Sequence, residues 1–428
     1  MPSSDDGFLY PNRGQSDGPN VSRRLLLAGS TAASASALAG CVGDDRDGAT
    51  TTTGDVTAEP TVFVFNTGDR TVSLVDVERD EVVATASLGI TSSFPSNQYT
   101  PGLTDSGGDP LWLNVGRGVR AIEAGTLREV AAVETGSGAN WQELTPDGGS
   151  LVVSAREPAH TIYRIDGDPG SDSFGDVTGE IDRTDEGGRG DNDGPGPCDV
   201  TIHPDGAYAY VPDLYGDTLT VLDVDAFEIE TQIDTQPVTD AAAAAPWMGT
   251  ASPDGETLLV EHDEGADGTQ SVWDISDPAA PQLRGRLTSD DGLGRRPLTS
   301  EIGPDSERGY VFTPGSNAIT VVDLAEVRVV EQLDLGGSAF VGTWDPGHEK
   351  LYVPVRSADE VAVVDAATSE ITTRVAVGAS PYGATAASVR PTDPGDVEAA
   401  SARQRLGRTL SGEGTTYCIG ECACGHEI

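Results

Sequence analysis

The chain has 428 residues with 70 Asp+Glu against 26 Lys+Arg, a formal net charge of −44. This balance excludes nucleic acid as a partner, because phosphate contacts need clustered Lys and Arg, and it disfavours docking on an anionic membrane surface. Lys350 is the single lysine, and a diffuse acidic surface with almost no lysine suits a protein working in very high salt, where screening removes self-repulsion; the alternative is a merely acidic secreted protein. Disorder, the other reading of high charge and few aromatics, fails because short apolar runs recur between turn signals.

In chain order, residues 1–20 are polar. Arg23-Arg24 then precede a short run rich in Leu, Ala and Ser that ends at Gly40. Paired arginines before such a run match a twin-arginine export signal, and the run is too short for a membrane span. Leu38-Ala39-Gly40-Cys41 resembles a lipobox, which implies lipidation of Cys41 after removal of 1–40. The protein is then expected outside the cytoplasm, on the outer face of the membrane and held there by its lipid alone. An uncleaved anchor is the alternative. Residues 41–59 read as a flexible tether.

From residue 60 the chain repeats. An apolar run ending in an acid recurs at Asp76, Glu123, Asp166, Asp223, Asp274, Asp323 and Asp365, in steps of 47, 43, 57, 51, 49 and 42 residues. A Pro-Asp-Gly-like turn precedes most of these, at Pro146-Asp147-Gly148, Pro204-Asp205-Gly206, Pro253-Asp254-Gly255, Pro304-Asp305 and, more weakly, Asp345-Pro346-Gly347. Each unit reads as four antiparallel strands, and radial repetition of such units is how a β-propeller deals with sheet edges. The expected fold is all-β: a seven-bladed propeller over 60–391. The first unit has no inner strand before Thr61, so an orphan strand at 383–390 is expected to complete blade one and close the ring.

Tyr210-Val211-Pro212, Tyr310-Val311-Phe312 and Leu351-Tyr352-Val353-Pro354, each followed by an apolar run to Asp, resemble YVTN/YncE-type propeller repeats. With the signal and composition, the resemblance is to a haloarchaeal lipoprotein of that type. Two units depart from the pattern. The second lacks a clean turn, and the third carries an insertion from Gly167 to Pro197. That insertion reads as a structureless acidic loop; Asp191-Asn192-Asp193-Gly194 is a fragment of a calcium-loop pattern without its closing Glu.

The loops leading into the inner strands carry bulky groups: Tyr99, Trp141, Cys198, Trp247 with Met248, Phe340 and Tyr382. These are expected around one mouth of the central channel, either as an apolar collar over a ligand site or as wedges between blades. Glu143, Asp199 and Glu301 follow them as polar contacts for a protein, peptide or small molecule. The histidines fall at different repeat positions, and His203 reads as structural.

Residues 392–428 form a linker and tail in which Cys418, Cys422, Cys424 and His426 make a soft ligand set for Zn²⁺ or Cu⁺. In oxidising surroundings the same cysteines form disulfides instead, with Cys198 as one partner; an incidental tail is the third reading. The expected function is a monomeric binding or scaffold module. Alternatives are a metal-handling or redox accessory, and a hydrolase, since Gly196–Gly206 and Tyr210–Leu214 are similar to lactonase-type propellers. That family has a histidine near the position of Cys198, and this departure weakens the hydrolase reading.

Overall fold

The computed structural model describes residues 56–88 and 104–391, with two dipeptide strands, Thr416–Tyr417 and His426–Glu427, paired antiparallel. Seven antiparallel sheets follow one another through the chain. Blade three, for example, comprises Trp141–Leu144, Ser150–Ala155, Thr161–Asp166 and Val177–Asp182 from inside to outside. Blades four to seven repeat this order. Blade two contributes three described strands, Pro110–Val115, Gly118–Glu123 and Glu129–Glu134. The second strands are buried on both faces, as Thr257–His262 is throughout, because each blade is sandwiched between two others. Outer strands alternate between exposed and half-buried, as along Glu228–Asp234.

The repeated acid proves to be turn chemistry. Asp76, Asp223, Asp323 and Asp365 each accept a hydrogen bond through Oδ1 from the backbone N–H three residues on, at 2.8–2.9 Å. The fourth residue on then takes a positive φ: 51° at Asp80, 53° at Phe227, 49° at Val327 and 57° at Ser369. Short acids favour such turns because they satisfy the backbone locally. In every blade a register shift falls at or next to the residue just before this acid, where the outer strand pairs with the third. A bulge there adds the local twist that a propeller blade needs. The Pro-Asp-Gly turns close with an N–H bonding back three residues, and Gly148, Gly206 and Gly255 have φ of 70–80°. Ser306 and His348 occupy that left-handed position in blades six and seven, at 58° and 54°.

The ring closes as expected. The strand Pro381–Ala387 pairs with Thr61–Asn66 and supplies the inner strand of blade one. It ends before residue 390 because Ser388 turns away, its N–H bonding Thr104 O at 3.1 Å and its hydroxyl bonding Asp105 at 2.7 Å. Arg390–Pro391 pairs instead with Val56–Thr57. Arg390, nearly buried, donates to Asp76 at 2.7 Å, to Thr61 at 3.0 Å and to Glu59. Lys350 of blade seven donates to both oxygens of Asp80 and to Val77 O, each at 2.9 Å, and Tyr352 donates to Asp80 at 2.5 Å. The chain's one lysine therefore bolts the last blade to the first.

The insertion in blade three is a correction to the sequence reading, because 167–197 is not structureless. It contains the blade's outer strand, Val177–Asp182, and then a segment held to blade four. Arg183 forms a two-pronged pair with Asp213, at 2.6 and 3.0 Å, with both side chains 0% exposed. Thr218 and Thr220 donate to the same carboxylate, and Arg189 holds Asp217 at 2.9 Å. Long-range partners that local periodicity does not reveal give this segment its order.

Candidate functional site

The described lead-in residues come together. Trp141, Cys198, Trp247, Met248, Phe340 and Tyr382 belong to one apolar cluster with Leu298 and Tyr215. They come from six different blades, so the cluster encircles the axis. Tyr99 lies outside the described residues. The cluster is packed shut: Trp247 is 1% and Tyr382 0% exposed, and only Trp141 retains partial exposure among the predicted aromatics that are described. Phe340 and Tyr382 sit 5.0 Å apart between ring centroids, with the Arg356 guanidinium over both. Trp247 Nε1 donates to Pro297 O at 3.2 Å. Cys198 is buried, with Asn140 Nδ2 3.2 Å and Arg156 Nη1 3.8 Å from its sulfur.

Beneath the collar, the predicted polar contacts join blades. Glu143 of blade three accepts the N–H of Ile202 of blade four at 2.7 Å. Asp199 of blade four accepts Gly249 N of blade five at 2.6 Å and Val200 N at 2.7 Å. The threonine hydroxyls continue the series: Thr201 to Gly249 O, Thr250 to Ser300 O and Thr299 to Phe340 O, at 2.6–2.9 Å. Glu301 is buried in blade six. His203 is structural, its ring bridging Asp205 N and Gly255 O.

Burial dominates the electrostatics. It pushes Glu143 up to about 8 against the opposing bond from Ile202. Asp199 is raised well above the usual carboxylate range by burial, with Glu143 and Glu261 adding to the shift. Glu261, raised to about 7 by burial, was not anticipated from sequence. The signal was present, because Leu258-Leu259-Val260-Glu261-His262 puts an acid inside an otherwise apolar strand.

Cys41, Cys418, Cys422 and Cys424 lie outside the described residues; His426 is placed only by its backbone pairing with Tyr417. In the insertion, Asn192 donates to Arg189 O and Gly187 N donates to Asp193 O. Among the described residues, no group of three or more His, Cys, Asp or Glu gathers as a metal site.

Fold and axis together define a seven-bladed β-propeller with a packed centre. No protein-family description and no curated protein sequence matches the chain. Solved structures share the fold at low identity. The periplasmic gluconolactonase of Pseudomonas aeruginosa is 17% identical with a TM-score of 0.58, over 77% of this chain and 99% of that one. A protein from Lactobacillus plantarum is 14% identical with a TM-score of 0.59, over the same shares. The hydrazine synthase of Kuenenia stuttgartiensis is 15% identical with a TM-score of 0.56, over 71% of this chain and 92% of that one.

Proposed function

We propose that this propeller is a binding module, exported and tethered through Cys41, that docks an extended peptide in the cleft between blades four and five. One observation carries the reading. The described collar side chains are largely buried and joined to one another's blades by hydrogen bonds, whereas a cavity of about 510 Å³ opens between the outer parts of these two blades. Ile233, Trp273 and Pro281 line it, with Val238 and Leu283 about half exposed at 51% and 52%. Its volume fits the range of specific ligand sites. The outer strand Glu228–Asp234 offers an edge for main-chain pairing, with Glu228, Glu230 and Asp234 exposed along it. Arg286, the cation in the lining, already holds Glu264 at 2.6 Å. Apolar walls with an acidic rim select a segment with an apolar anchor flanked by Arg or Lys.

Selection from a displayed random-peptide library tests this. The expected binders are basic with apolar anchors, and they lose at least about tenfold in affinity on Leu283→Asp or Val238→Asp. Binders indifferent to both substitutions overturn the site. Lactone hydrolysis draws little support from Asp199, whose two oxygens accept backbone N–H groups at 0% exposure. Turnover of sugar lactones lost on Asp199→Asn would restore it. The metal-handling reading stays with the tail, and metal analysis of wild type against Cys422→Ser tests it.

A further inference from the structure

Glu261 sits in the contact between blades five and six. Leu259 and Glu261 of the second strand share a face with Val272 and Gln270 of the third, and Gln270 lies directly opposite Glu261. Leu259 and Val272 pack with Ile302 and Val311 of blade six. Thr250 binds the backbone of Ser300 across the same contact at 2.7 Å. Ser300 and Gln270 are the side chains that act on the Glu261 carboxylate.

Four buried side-chain oxygens at this contact make no well-formed hydrogen bond. Neither oxygen of Glu261, nor Gln270 Oε1, nor Ser300 Oγ makes a hydrogen bond. The three residues are 0%, 0% and 3% exposed. The charged groups coupled to this region from blades three and four, Glu143 and Asp199, are also acids. His262 is turned to other partners, Ala244 O and Ser271 Oγ, and burial keeps it neutral. Arg286 is committed to Glu264. The Ser300 hydroxyl and Gln270 amide lie against the Glu261 carboxylate without a well-formed hydrogen bond, and none of the cations named here reaches it. A buried carboxylate without a counter-ion is strongly unfavourable, and native proteins do not leave such groups unexplained.

We propose that Glu261, Gln270 and Ser300 form a buried site for one alkali-metal cation, Na⁺ or K⁺, taken up as blades five and six close. The donors are all hard oxygens, which suit such ions and not soft metals. One carboxylate among neutral oxygens balances a single positive charge. The site is separate from the peptide cleft and stands without it.

The test is thermal unfolding near pH 8.5 in NaCl, KCl and choline chloride at equal ionic strength, with ²³Na line broadening as a second readout. The wild type is expected to melt about 5 °C higher in at least one alkali salt than in choline. Glu261→Gln and Ser300→Ala are expected to abolish that difference and the excess ²³Na broadening. If Glu261→Gln does not fold, Ser300→Ala and Gln270→Ala carry the comparison. Equal midpoints in all three salts overturn the proposal, pointing to a neutral carboxyl or a trapped water. A difference that survives the substitutions also overturns it, as does a response to Ca²⁺ alone.

Discussion

The seam between blades seven and one and the axis beneath the collar both bury charge, but they handle it in opposite ways. At the seam two acids have cations: Asp76 has Arg390 and Arg79, and Asp80 has Lys350. Burial acts to raise Asp76, yet Arg390 and Arg79 outweigh it and hold the carboxyl below its ordinary value. At the axis Glu143 has a backbone N–H donor and Asp199 has two, with the Thr201 hydroxyl at 3.4 Å but no cation, and burial raises both. The lesson is that a chain with 26 cations and 70 acids places its cations where ring closure depends on them. At the axis, backbone N–H groups take over, whereas the blade three–four contact keeps a cation in Arg183.

Removing the seam's cation should break this contrast hardest. Arg390→Ala leaves the buried Asp76 with only the half-exposed Arg79 and is expected to cost about 3 kcal/mol in denaturant unfolding, the low end of the scale for a broken buried pair. A cost below about 1 kcal/mol would mean that the ring closes without this bolt.

Acidity pulls the two regions apart with opposite sign. A carboxyl raised by folding, such as Glu143, contributes stability below its unfolded value near 4.5, and that contribution is lost as pH rises through about 8. Asp76, held low, contributes stability at neutral pH that is lost as pH falls through its folded value. Between pH 5 and 8, Glu143→Gln should therefore recover roughly 2 kcal/mol of the wild type's loss, after discounting for partial exposure. Unfolding curves of the two proteins at both pH values give the difference, and parallel pH profiles would refute it.

Smaller effects sharpen the comparison. Lys350→Met should cost about 1 kcal/mol, since its pair is partly exposed. Because Lys350 is the only lysine, amine acylation at that residue, located by mass spectrometry, should quicken when Asp80→Asn removes its partner. Thr250→Val removes one cross-blade hydroxyl and should also cost about 1 kcal/mol. Ser306→Gly relieves a left-handed residue and should be neutral to about 0.5 kcal/mol stabilising, a thermal-melt measurement.

The sequence by itself determined the number of blades, the order of strands, the closure by a C-terminal strand and the identity of the turns. All of these are local: an acid bonds three residues ahead, a glycine supplies a positive φ, and apolar runs alternate with breaks. It also named the collar, because Trp141, Cys198, Trp247, Phe340 and Tyr382 recur at one position of the repeat. Tertiary structure decided what those groups do. Asp199 meets Gly249, Thr250 meets Ser300, and Glu143 meets Ile202, partners 50, 50 and 59 residues away in the next blade. Arg183 finds Asp213 in the same way, turning an apparently loose insertion into a fixed one. No pattern within one repeat carries that information, because each blade buries its faces only against its neighbours. Whether an acid at the axis faces solvent, a backbone N–H or an unpaired oxygen across the gap is settled only when the ring closes.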